Sequence, residues 1–206
     1  MIRVHHLEHS RSQRILWLLE ELGLDYEVQS YARDKVTNLA PPELRDVHPL
    51  GKSPMIEIDG RLVVESGAIV ELVCARHGHA LLPPPGTPAH VEHLEWMHFA
   101  EGSAMTPILL ALYAGRLGEA AAPLQPRISE QLASHFAYME AGLRDSGHFV
   151  LDDLSAADIM LSFPAEVAMA QGRQEELPRL ASFVRQVQSR PAYRRALERG
   201  GLYRFA

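Results

Sequence analysis

Apolar and polar positions change their period along the chain. Ile2-Arg3-Val4-His5-His6-Leu7 is a short β-type run, and Tyr26-Glu27-Val28-Gln29-Ser30-Tyr31 alternates with period two. Between them, Ile15, Leu18, Leu19 and Leu22 recur at helical spacing after the polar loop Glu8-His9-Ser10-Arg11-Ser12. The spacing predicts a helix over 13–22, ending at Gly23, which suits a left-handed stop. Met55-Ile56-Glu57-Ile58 and Leu62-Val63-Val64 flank Asp59-Gly60, a strong hairpin signal. Ser66 then opens a helix running through Val73.

Strand, helix, strand, short helix, strand, strand, helix is the order of a thioredoxin-like α/β layer. It ends at Leu82-Pro83-Pro84-Pro85-Gly86-Thr87-Pro88, where consecutive prolines forbid a helix and pre-set an extended connector. Beyond it the pattern predicts long amphipathic helices over about 89–116, 124–145, 156–171 and 178–199, with no β-run among them. Gly118, Gly147-His148 and Gly172 punctuate these segments. The expected organisation is a thioredoxin-like α/β domain over 1–81, a proline-rich linker over 82–88 and an all-α helical bundle over 89–206.

Composition narrows the chemistry. The chain has 206 residues, 47% hydrophobic, with formal net charge −6 and one cysteine, Cys74. A single thiol excludes an internal disulfide, CxxC redox chemistry and a multi-thiolate zinc site. Cys74 falls on the apolar face of the third helix and reads as packing. The mild acidity gives no footprint for nucleic acid or an anionic membrane. No stretch approaches the ~18 apolar residues of a spanning helix. With no secretory leader at Met1-Ile2-Arg3-Val4, the expected setting is reducing and cytoplasmic. Among the 11 histidines, His5 and His6 point to opposite faces of a strand. His90 and His93 share a helix face but lack a third ligand, so no metal is expected.

Three segments of the first domain carry donor groups. The loop His9-Ser10-Arg11-Ser12 precedes a helix N-terminus, where a hydroxyl can either cap the helix or donate to a bound thiolate. Gly51-Lys52-Ser53-Pro54 precedes a strand; a trans Pro54 makes it an ordinary turn. A cis Pro54 turns the Ser53 backbone groups toward an extended peptide ligand. In Glu65-Ser66-Gly67, Ser66 can cap the next helix or, with the first-turn amides, hold a carboxylate, leaving Glu65 for an ammonium group.

Taken in order and spacing, these segments resemble the cytosolic glutathione transferases, over essentially the whole chain. The run from Ser10 to Gly23 is similar to the family's first loop and helix, and His48-Pro49-Leu50-Gly51-Lys52-Ser53-Pro54 to its cis-proline segment. Glu65-Ser66 resembles its γ-glutamyl-binding pair, Ser155-Ala156-Ala157-Asp158 its buried capping box, and Arg190-Pro191-Ala192-Tyr193 a C-terminal habit. The HSRS-x-R-x-LWLL opening is similar to a fungal and bacterial subgroup.

The resemblance implies glutathione as cosubstrate. Lys52 and Ser53 would hold its glycyl and cysteinyl parts, Pro54 would be cis, and Glu65 and Ser66 would take the γ-glutamyl ammonium and carboxylate. Counting from the first strand puts Ser10 at the catalytic hydroxyl; counting back from Arg14 puts His9 there. Met105 and Tyr113 would line the electrophile pocket, and Glu101 would reach a partner subunit's glutathione. Ser155 and Asp158 would be structural. The implied activity is detoxifying: a homodimeric, cytoplasmic transferase conjugating glutathione to hydrophobic electrophiles or reducing organic peroxides. Its rivals are a disulfide reductase using two glutathiones and a non-catalytic interaction protein on the same fold; an intact Lys52, Ser53, Glu65 and Ser66 set argues against the latter.

Overall fold

The computed structural model describes residues 1–206, which divide into two compact units. The first contains Met1–His79 together with Val187–Ala206, and the second is Ala80–Gln186. The last twenty residues therefore belong with the α/β layer, not with the helical domain expected to run from 89 to 206.

In the first unit, strands β1 (Ile2–Leu7), β2 (Tyr26–Tyr31), β3 (Met55–Ile58) and β4 (Arg61–Val64) form one sheet in the order β2-β1-β3-β4. β1 and β2 are parallel, with Val4 opposite Val28. β3 runs antiparallel to β1 and to β4, placing Met55 opposite both His5 and Val64. Asp59 and Gly60 both take positive φ, as a two-residue hairpin turn requires. The helices are α1 (Ser12–Glu21), the short α2 (Glu43–Val47), α3 (Ser66–His77) and, from the chain's end, α9 (Pro191–Gly200).

Helix α1 shows only one apolar stripe in sequence, yet every residue from Ser12 to Leu19 is buried. It packs against β1 and α3 and is also covered by α9. Trp17, off the predicted stripe, meets Tyr193 edge-on at 5.5 Å. A Cβ at Gly200 would stand 2.8 Å from Leu16 Cδ1, so the last turn of α9 lies against α1 without room for a side chain.

The second unit is helical: α4 (Pro88–His98), α5 (Met105–Gly115), α6 (Gln125–Gly142), α7 (Ala156–Ala170) and most of α8 (Pro178–Ser189). The single helix expected over 89–116 is interrupted at Phe99–Ala104 by wider, π-type turns. The helix expected over 178–199 ends at Ser189 and restarts at Pro191. Arg190, the residue before a proline, is extended, as the pyrrolidine ring demands.

Candidate functional site

The strand register gathers the predicted residues at one end of the sheet. β1 ends there at Leu7, β3 begins there after Pro54, and β4 ends there at Val64. The N-termini of α1 and α3 follow from β1 and β4, so both helices turn their positive dipole ends to this end of the sheet. An open depression of about 860 Å³ lies at the opposite end, among Ile2, Tyr26, Ile58 and Arg76, and includes none of the predicted residues.

Ser10 is buried. Its Oγ accepts the Ser12 backbone N–H at 3.2 Å, and it lies 2.8 Å from Ser12 Oγ. Ser12 Oγ is in turn 2.8 Å from His6 Nδ1. Ser10 thus takes up one orphan amide of α1 and also heads a chain of buried polar side chains. His9 has positive φ, and its Nδ1 accepts the Arg204 backbone N–H at 3.2 Å, a contact the sequence gives no means of anticipating. Burial first, then the neighbouring Arg204, hold the His9 imidazole below its ordinary pKa, so it is neutral at pH 7. Arg33 secures the loop by donating from Nε to the Glu8 carbonyl at 2.8 Å.

The Ser53–Pro54 peptide bond is cis. The Ser53 hydroxyl donates to the His5 carbonyl at 2.9 Å and accepts the Leu7 N–H at 3.3 Å. That side chain ties the proline loop to β1. Lys52 is exposed beside it.

Glu65 sits at φ 71°, an uncommon and costly conformation for a side-chain-bearing residue. Ser66 corrects the capping expectation: it is the first residue of α3, and the preceding position has no side-chain cap. Its buried hydroxyl accepts instead from Arg14 Nη2 at 3.0 Å. An arginine has no acceptor to offer, so the Ser66 O–H proton stays available for a ligand carboxylate. Arg14 was not among the predicted site residues. Its signal was a guanidinium one turn before Leu18 on the apolar stripe of α1, where a charge demands a partner.

In the second unit, Met105 is buried and Tyr113 is about half exposed (49%), with Arg116 6.0 Å from its ring centroid. Ser155 and Asp158 form a reciprocal capping box at the start of α7. Asp158 accepts the Ser155 N–H at 2.6 Å and the Phe149 N–H at 2.9 Å. Cys74 is fully buried in α3, and burial pushes its thiol up to about 12. His5 contacts Tyr31 and Glu57 while His6 contacts Ser12, so the adjacent imidazoles serve separate networks.

A thioredoxin-like sheet followed by a helical unit is the two-domain architecture expected from the sequence, and the comparisons agree. Residues 1–73 match the family model "Glutathione S-transferase, N-terminal domain". Glutathione S-transferase 3 of Schizosaccharomyces pombe is 34% identical, over 97% of this chain and 88% of its own. The solved glutathione S-transferase of Actinobacillus pleuropneumoniae is 31% identical with a TM-score of 0.89, covering 100% of this chain and 95% of its own. A glutathione transferase homolog of Lodderomyces elongisporus, solved with two GSH per subunit, shares the fold at 22% identity and a TM-score of 0.79, covering 96% and 97%. The chain belongs to the glutathione S-transferase family.

Proposed function

We propose that this transferase activates glutathione as a thiolate at Ser10 and delivers it to hydrophobic electrophiles or organic peroxides. The observation that carries this is the meeting, at one sheet end, of two buried serine hydroxyls at helix N-termini with the cis-Pro54 loop. Ser10 would donate its O–H to the sulfur. A hydroxyl donor stabilises an anion without being charged itself, and the α1 dipole adds to the effect. His9, neutral and engaged with Arg204, is the weaker choice. Lys52 would meet the glycyl carboxylate, the Ser53 main chain the cysteinyl unit, and Glu65 and Ser66 the γ-glutamyl ammonium and carboxylate. Met105 and Tyr113 remain the proposed lining for the second substrate. A cytoplasmic homodimer of the fungal and bacterial subgroup completes the reading.

Conjugation forms a sulfur–carbon bond and expels the electrophile's leaving group; peroxide reduction converts two glutathiones to their disulfide while the hydroperoxide becomes alcohol and water. Calorimetry with glutathione, then turnover with an aryl halide and a hydroperoxide, tests the proposal. Absence of glutathione binding at millimolar concentration overturns it. Ser10→Ala is expected to raise the bound thiol's pKa; an unchanged pH–rate profile moves the role to His9 or a backbone amide.

A second reading, glutathione-dependent disulfide reduction, rests on the two GSH per subunit in the Lodderomyces elongisporus relative. With Cys74 buried, the sulfur for such chemistry would come from glutathione itself. Fast turnover of a mixed disulfide without aryl transfer would favour it.

A further inference from the structure

Three polar side chains form a continuous buried chain from the sheet to the site. His6 Nδ1, Ser12 Oγ and Ser10 Oγ follow one another at 2.8 Å and 2.8 Å, and His6, Ser12 and Ser10 are 2%, 0% and 6% exposed. The fold fixes all three heavy-atom positions. Ser12 opens α1, its Oγ also lies 3.4 Å from the Leu7 carbonyl, and His6 lies on the central strand beneath it. Burying three polar groups is costly unless each is satisfied, and here their mutual bonds, the Ser12 N–H and the Leu7 carbonyl share that task.

We propose that Ser12 and His6 are positioning residues that set the direction of the Ser10 O–H, aiming it at the glutathione sulfur when the thiolate is bound. The inference rests on Ser10 being the thiolate donor. Each hydroxyl has one proton, and a neutral imidazole has one N–H and one acceptor nitrogen, so only certain orders are possible. With the proton on His6 Nε2, Ser10 donates inward to Ser12 and Ser12 donates to Nδ1, which spends the Ser10 proton inside the protein. With the proton on Nδ1, His6 donates to Ser12, and the Ser12 proton goes either to the Leu7 carbonyl at 3.4 Å, with Ser10 still donating inward, or to Ser10 Oγ at 2.8 Å. In the last order Ser10 Oγ accepts from the Ser12 hydroxyl and the Ser12 backbone N–H together, and its own proton points outward. All three orders hold the same three protons. A bound thiolate favours the last, because only that order presents a donor.

His6 acts here as a neutral group. Burial is the dominant influence on it; the Gly200 backbone and Glu8 act in the opposite sense, and His9 with burial, bringing the imidazole down to about 4. A group this weakly basic does not take the proton of a thiol near 8.5, so the chain transmits orientation and not charge. Its Nε2 has no well-formed hydrogen bond, but the Gly200 backbone acts on that nitrogen as an acceptor does and favours a proton there until a thiolate is bound.

Thiolate absorbance of bound glutathione, titrated against pH, reads the effect directly. Ser10→Ala, Ser12→Ala and His6→Gln are expected to raise the bound thiol's pKa by about one unit, one hydrogen bond to an anion lost or misdirected. Near neutral pH, kcat should fall up to about tenfold while KM for glutathione holds. Ser12→Thr keeps the hydroxyl and His6→Asn can place an amide donor at the Nδ1 position, so both should restore the low pKa. A packing role for His6 would treat Asn and Gln alike. If Ser10→Ala raises the pKa and Ser12→Ala and His6→Gln do not, the positioning role fails while the Ser10 assignment stands. If Ser10→Ala leaves it unchanged, that assignment falls and the relay with it. Nitrogen-15 NMR of the wild-type complex needs no variant: His6 protonated at Nδ1 with thiolate bound supports the proposal, and at Nε2 overturns it.

Discussion

Arg14 and His6 are buried behind Ser66 and Ser10, the hydroxyls proposed to meet glutathione. Arg14 is 1% exposed and holds the Ser66 hydroxyl from within the α1–α3 packing. Replacing it by lysine loses the fixed fork of donors, so Arg14→Lys should weaken glutathione binding roughly tenfold, measured by calorimetry. His6 links the same region to acid stability. Its pKa lies near 4 in the folded protein against an ordinary 6.5, so below pH 6.5 the unfolded chain binds the extra proton and stability falls until about pH 4. That linkage amounts to about 3 kcal/mol between pH 7 and 4. Urea midpoints across this range should show His6→Asn losing about one proton's worth of acid sensitivity. Ser10, Ser53 and Ser66 were visible in the sequence as hydroxyls before a helix or strand, and all three are buried at one end of the sheet. The Ser12–His6 relay was not, because a β-strand pattern says which face a histidine takes and nothing of what meets its ring.

At the level of elements, the sheet's four strands and α1 were readable from period alone, since each has a half-buried or apolar repeat. The misreadings came where tertiary packing or a single residue overrides the pattern. Pro191 separates α8 from α9 within a continuous amphipathic run, and the turns at Phe99–Ala104 widen without any sequence punctuation beyond Gly102. The capping box of α7 is the most demanding local device. Asp158 accepts two buried backbone N–H groups and the Ser155 hydroxyl, so Asp158→Ala strands the amides of Phe149 and Ser155. The expected loss is about 4 kcal/mol, at 1–3 for each stranded donor, read from chemical denaturation. Arg190, just before α9, pairs with Glu21 of α1, and Arg195 of α9 with Glu20, while Arg199 stacks 3.7 Å from the Tyr26 ring centroid. Each pair joins a partly exposed arginine to a mostly buried glutamate and fixes register, while Ala192, Tyr193 and Ala196 supply the buried area.

For the whole molecule, the chain leaves the α/β unit after His79 and returns to it at Val187. The proline-rich segment marks the first passage plainly; the return has no compositional break, which is why sequence alone assigned the last helix to the wrong side. A fragment ending at residue 81 lacks α9 and bares Leu16 and Trp17, so it should show little native circular dichroism until a peptide spanning 187–206 is added. One feature also gives the protein a built-in stability gauge. Its single thiol is sealed inside α3, the helix that begins at Ser66, so an alkylating reagent can modify Cys74 only in molecules that have momentarily opened. With a reagent slower than reclosing, the labelling rate reports the open fraction of a full-length, unmodified chain. S-methylglutathione, which has no thiol to compete for the reagent, should slow it in proportion to occupancy, about a hundredfold at a hundred times its Kd.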